Sequence, residues 1–164
     1  MQVVNIPSDE APHTVAICGG IMVSKTAEYA IRAVLYMARR EHQTPVNADE
    51  VADALGAPRN YLSKTLNALA KARILKSVRG PRGGFSLAVA AEDLPIARIV
   101  DAFDSPRESG MCMLGGTPCN PDDPCSAHDR WISIRRATRA PMEDTTVGEM
   151  IGWARNRPRL ALER

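Results

Sequence analysis

The reactive side chains of this sequence crowd into one short stretch. Cys112, Cys119 and Cys125 fall within fourteen residues, and His128 follows three positions after the last. Thiolates are soft ligands that suit iron and zinc. Gly115, Gly116, Pro118, Pro121 and Pro124 lie between or beside them. These residues oppose regular structure, so the backbone can wrap a compact centre. Cys125 and His128 are three apart at the start of a helical pattern and face the same way. Structural zinc usually takes paired knuckles with about two to four residues between ligands. The wider gaps here suit a bulkier centre. The expected order is therefore an iron–sulfur cluster first, zinc second and a thiol switch third. Three thiolates with a non-cysteine fourth ligand would also leave one chemically sensitive position. Cys18 stands alone near the N-terminus and is read as incidental.

A second set of residues points to nucleic acid. Residues 22–82 carry 11 Lys and Arg against 5 Asp and Glu, a net of +6, whereas the whole chain is only +2. Positive charge confined to one region is an electrostatic footprint for phosphate. Within it, Arg59, Asn60, Ser63, Lys64 and Asn67 lie opposite the apolar stripe Leu62, Leu66 and Leu69 on a helical projection. Arg and Asn pair bidentately with guanine and adenine edges, and Lys64 can take a phosphate. Further along, Arg79 and Arg82 flank glycines that allow a tight turn and close approach to the DNA backbone.

The elements that position these groups follow from periodicity. Ser24 can cap a first helix, with Ala27, Ala30, Ile31, Val34, Leu35 and Ala38 on one face. A second helix is predicted over 46–55, capped by Asn47 or Thr44 and stopped by Gly56. Pro58 opens a third helix that runs to about Ala72. Strands over 74–78 and 85–89 enclose the Arg/Gly/Pro turn. A fourth helix is predicted over 93–103, then the cysteine loop, then a long helix ended or kinked by Pro141. Thr145 or Thr146 caps a last helix through Trp153, and 155–164 reads as a frayed basic tail. Helix, turn, helix and hairpin in that order is a winged helix-turn-helix. The fold class expected is mainly α with a small β-hairpin wing, plus a long dimerisation helix. Residues 1–21 read as a disordered extension before Met22, 22–92 as the DNA-binding domain, and 93–154 as the cysteine loop with dimerisation helices.

Other classes are disfavoured. Aromatics make up 4% of the chain, too few for a large β-sandwich. No apolar run approaches the roughly 20 residues of a membrane span, and the first segment lacks the basic start of a signal peptide. Cytoplasmic localisation is expected, where structural disulfides are rare. An enzyme with a cysteine nucleophile is disfavoured too, because no strand-anchored Cys–His–acid set exists and His13 and His42 fall in arm and loop.

From Val23 to about Ile151 the chain resembles the Rrf2 family of bacterial transcription regulators. The resemblance rests on Ser24-Lys-Thr-Ala-Glu-Tyr29-Ala, on Asn60-Tyr61-Leu62, on Ser77-Val-Arg-Gly-Pro-Arg-Gly-Gly-Phe85, on the three cysteines with His128, and on Thr145-Thr-Val-Gly-Glu149. It implies a repressor or activator that binds a pseudo-palindromic DNA operator as a homodimer built on the long helix, with Tyr61 in the recognition helix. It also implies that Cys112, Cys119 and Cys125 hold a 2Fe–2S or 4Fe–4S cluster. Regulators of iron–sulfur assembly use the His after the last Cys as fourth ligand. Some nitric-oxide sensors instead use a helix-one carboxylate from the partner subunit, at the position of Glu28. This chain offers both. It departs from the iron–sulfur assembly regulators in a Cys112–Cys119 gap one residue longer, and Pro141 falls where continuous helix is expected.

Overall fold

The computed structural model describes residues 23–40, 44–80, 83–104, 112 and 119–155. Helix α1 (Lys25–Ala38) starts where Ser24, in extended backbone, accepts a hydrogen bond from the Ala27 N–H at 3.1 Å. Its inner face buries Ala27, Ala30, Ala33, Val34, Leu35 and Met37. Helix α2 (Ala48–Leu55) is capped by Asn47, which accepts from the Asp49 N–H at 2.8 Å. It starts two residues later than periodicity predicts. The main chain of Val46 is instead committed to Phe85, with two hydrogen bonds of 2.8 Å. Gly56, in the left-handed conformation at φ 60°, ends α2.

Helix α3 (Arg59–Lys71) buries Leu62, Thr65, Leu66, Ala68 and Leu69. It closes in a Schellman turn. The Ile74 N–H reaches the Leu69 carbonyl (3.0 Å) and the Arg73 N–H reaches that of Ala70 (3.1 Å). Strands β1 (Leu75–Val78) and β2 (Gly84–Leu87) pair antiparallel, from Leu75 opposite Leu87 to Val78 opposite Gly84. The hairpin base admits no side chain at two glycines. A Cβ on Gly84 would lie 2.4 Å from the Val46 carbonyl oxygen, and one on Gly83 would lie 2.2 Å from that of Val78.

After a 3-10 turn (Ala91–Asp93) comes α4, only Ile96–Val100. The longer helix predicted from Asp93 does not form, because Pro95 is extended (ψ 144°) and bridges Thr146. The Val147 N–H also bonds the Leu94 carbonyl at 2.9 Å. Helix α5 (His128–Asp144) continues past Pro141, where an end or a kink is expected from the sequence. A proline removes its own N–H donor and crowds the carbonyl four residues back. The helix continues nonetheless and closes with the Thr145 N–H on the Pro141 carbonyl at 3.2 Å. Thr146 and Glu149 then bond each other's main-chain N–H (2.9 and 3.2 Å), a capping box for α6 (Val147–Arg155).

One apolar cluster runs through the whole arrangement. Leu35, Leu62, Leu69, Ile74, Ile99 and Val147 all belong to it. Helix α5 contributes no buried residue. Its Met142 packs partly against the cluster, and polar contacts tie it down further: Arg139 grips both carboxylate oxygens of Asp101 (2.6 and 2.8 Å) and also bonds Glu143 at 2.7 Å.

Candidate nucleic-acid interface and cysteine centre

The α2–turn–α3 corner fixes which side chains point outward. With the Leu62, Leu66 and Leu69 stripe in the core, Arg59, Asn60, Lys64 and Asn67 are exposed and Ser63 is half-buried. The Asn67 side chain turns back to donate to the Ser63 carbonyl at 2.9 Å. Arg79 is exposed at the end of β1. Arg82 lies outside the described residues.

Two of these side chains have partners that the sequence does not reveal. Tyr61 is half-buried, and its hydroxyl shares a 2.5 Å hydrogen bond with the Thr26 hydroxyl of α1. Its ring meets the edge of Tyr29 with centroids 5.7 Å apart. In this chain Tyr61 therefore fastens the third helix to the first. Arg59 stands at the first position of α3, where Nη2 lies 3.1 and 3.2 Å from the two Asp53 oxygens and Nη1 lies 4.0 Å from Asp49. A further cation, Arg73, was not singled out by pattern. It is exposed and holds a left-handed backbone (φ 58°) at the root of the wing, a conformation that costs a non-glycine residue energy. Nothing in the sequence marks that conformation.

The cysteines gather around α5. Cys112 and Cys119 are half-buried, and Cys125 is exposed. The Cys119 thiol is pushed above the ordinary thiol range, first by burial, then by a hydrogen bond to Cys112 and by the nearby Cys112 and Cys125; Arg135 of α5 acts in the opposite sense. His128 is the first residue of α5, half-buried, and its N–H donates to the Cys125 carbonyl at 3.0 Å. Among the described residues, no three His, Cys, Asp or Glu side chains converge on a point as for a single metal ion. Glu28 lies in the first turn of α1, where its carboxylate meets Lys25 at 2.8 Å and Arg32 at 3.9 Å.

One contact links the start of the loop to α1. Asp104, just before the cysteine loop, accepts a hydrogen bond from the Ser24 N–H at 2.9 Å. Ser24 caps α1, and two residues later Thr26 holds Tyr61 of α3.

Residues 23–152 match the profile of Rrf2, described as an iron-dependent transcriptional regulator. The chain belongs to the Rrf2 family. A relative from Aquifex aeolicus, named as a candidate HTH-type transcriptional regulator, is 32% identical over 133 residues, covering 80% of this chain and 92% of that one. The HTH-type transcriptional regulator IscR of Vibrio atlanticus is 27% identical over 129 residues, 79% of this chain and 74% of that one. Among solved structures, CymR, the global cysteine regulator of B. subtilis, superposes with a TM-score of 0.68 at 20% identity, covering 80% of this chain and 96% of that one. The architecture is the winged helix of the Rrf2 regulators, and the chain is a member of a DNA-binding transcriptional regulator family. No helix among the described residues is long and apolar enough to cross a membrane.

Proposed function

We propose that this Rrf2 regulator is a homodimer whose affinity for a pseudo-palindromic operator in the cytoplasm is set by an iron–sulfur cluster. The observation that carries the reading is the approach of Cys119 to Cys112 and Cys125, with Arg135 of α5 nearby. The donor set fits. Three soft thiols with an imidazole at the helix start suit cluster iron better than a hard cation. Close thiolates repel one another, and a cation among them relieves that repulsion. When bound, the cluster would supply a redox- and nitrosylation-sensitive tie between the loop and α5. His128 is favoured over Glu28 as fourth ligand, because its helix start adjoins Cys125, whereas Glu28 already carries Lys25 and Arg32.

The chain's own residues then relay the state of the loop. Asp104 holds the Ser24 N–H, Ser24 caps α1, and Thr26 holds Tyr61 of the recognition helix. A shift of Asp104 alters the first turn of α1, hence the seat of α3. Two recognition helices must match half-sites about one helical turn apart, so a small reorientation changes operator affinity strongly. On DNA, Arg59, Asn60, Ser63 and Lys64 face the major groove, and Arg79 and Arg82 approach the backbone from the wing.

Dimerisation through α5 is supported by its lack of buried residues, with Ile134 55% exposed. An apolar groove of about 690 Å³ opens beside it, walled by Ala137, Pro141, Met142, Met150 and Trp153.

The test is anaerobic purification followed by absorption and EPR spectra with iron and sulfide analysis. A coloured protein with iron and acid-labile sulfide, lost in Cys112→Ala, Cys119→Ala and Cys125→Ala, is the expected result. A colourless, iron-free protein refutes the cluster. A second reading, a Cys112–Cys119 thiol switch, is favoured by the closeness of those two thiols. It would show as iron-free protein whose operator affinity changes on oxidation. Zinc found in place of iron would make the centre structural.

A further inference from the structure

The contact between Arg59 and α2 has a consequence for how DNA is chosen. Arg59 is a cation at the first position of a helix, the end where the helix dipole disfavours positive charge. No acidic residue stands in the first turn of α3 to offset it, and Pro58 provides no side-chain cap. What offsets it comes from the preceding helix. Asp53 meets Nη2 with both oxygens at 3.1 and 3.2 Å, and Asp49 lies 4.0 Å from Nη1. The left-handed turn at Gly56 folds α3 back so that these groups meet. All of this is at the surface: Arg59 is 60% and Asp53 64% exposed. An exposed ion pair contributes little to stability, so fold stability does not account for a cation held in that position.

The geometry does account for selective recognition. Asp53 occupies one terminal nitrogen and leaves Nε and Nη1 without a hydrogen bond to either carboxylate. Held at Nη2, the planar guanidinium is fixed in orientation, and its Nη1 N–H groups are left to donate to an acceptor on a guanine edge. The same carboxylates repel phosphate oxygens, which any sequence presents. We propose that Asp53 is a specificity-determining residue. It aims Arg59 at a base edge and denies it to the backbone, so operator DNA is favoured over bulk DNA. The proposal rests on α3 being the recognition helix.

The test uses full-length wild type, Asp53→Ala, Asp53→Asn and Arg59→Ala. The probes are a duplex that the wild type enriches from a randomised library and a scrambled duplex of equal length. Affinities are measured by fluorescence anisotropy across a salt series. For Asp53→Ala, affinity for the scrambled duplex should rise several-fold. Its salt slope should steepen by about one, the mark of one added phosphate contact. Its preference for guanine at one position should drop several-fold, the scale of one hydrogen bond from a charged donor. Asp53→Asn, which keeps the shape without the charge, should move the same way to a smaller extent. Arg59→Ala should lose the same base preference without the gain on scrambled DNA. If Arg59→Ala loses the preference while both Asp53 variants keep wild-type slope and preference, the role of Asp53 is overturned and the recognition helix stands. If Arg59→Ala itself binds both duplexes like wild type, or if the wild type enriches no sequence, the recognition reading and the proposal fall together.

Discussion

The bond between Tyr61 and Thr26 gives the most quantitative mutational test of how α3 is held. Tyr61→Phe removes the hydroxyl and keeps the ring. A net hydrogen bond is worth about 0.5–1.5 kcal/mol. Thr26 is half-buried, so water can replace the lost partner in part, and we expect about 1 kcal/mol. Tyr61→Ala also forfeits the edge contact with Tyr29, about 0.5–1.5 kcal/mol by itself, and the burial of the ring. Its total should approach ~3 kcal/mol. For a chain of this size each kcal/mol moves Tm by roughly 2–4 °C. Urea and thermal unfolding of metal-free protein would read both values. Thr26→Val should cost nearly the same as Tyr61→Phe, and the double variant little more, because one bond cannot be lost twice. If Tyr61→Phe is as stable as wild type but changes base preference, the hydroxyl faces DNA and the account of Tyr61 is wrong. Strict additivity of the two single variants would equally refute the bond.

Four further outcomes follow from particular contacts. Gly84→Ala should destabilise the wing by at least 1–3 kcal/mol, since its methyl would meet the Val46 carbonyl at 2.4 Å; an unchanged urea midpoint would contradict that close approach. Ile134→Glu should turn a dimer into monomer or aggregate by placing an unpaired charge in the proposed α5 interface, as read by light scattering. Arg79→Ala should weaken binding to every DNA sequence alike and flatten the salt slope by about one. In metal-free protein the folded chain holds the Cys119 proton more tightly than the unfolded chain does. That contribution is complete below the ordinary thiol range and is lost as pH rises through it and above, so stability should decline over that interval, and less so in Cys119→Ser.

Local chemistry was the part of the fold that the sequence displayed. Ser24, Asn47 and Gly56 cap and stop helices where their types predict, and Leu62, Leu66 and Leu69 are fully buried as their spacing requires. The Thr146 cap with Glu149 three residues on is equally local. What stayed hidden depends on partners distant in the chain. Val46 leaves the second helix for Phe85, thirty-nine residues away, and Pro95 is held extended by Thr146. Pro141 reads as an end or a kink because its effect on one turn is visible, while the bonds that continue α5 past it are not. In the candidate site, the outward face of α3 follows from periodicity. The fastening of Tyr61 to Thr26 and of Arg59 to Asp53 does not, since each is set by how two helices cross. The cysteine spacing carries no information on how Asp104, just before the loop, is tied to α1.

The central claim is that the cysteine centre sets DNA affinity. The measurement that tests it most directly is the affinity of one library-selected duplex for anaerobic, iron-loaded protein and for the same preparation after chelation. The wild-type affinity should change by roughly 5–150-fold, the usual span of coupling between two sites, and Cys119→Ala should bind like chelated wild type under both conditions. Equal affinity of loaded and chelated wild type would contradict the account, whatever the colour of the protein.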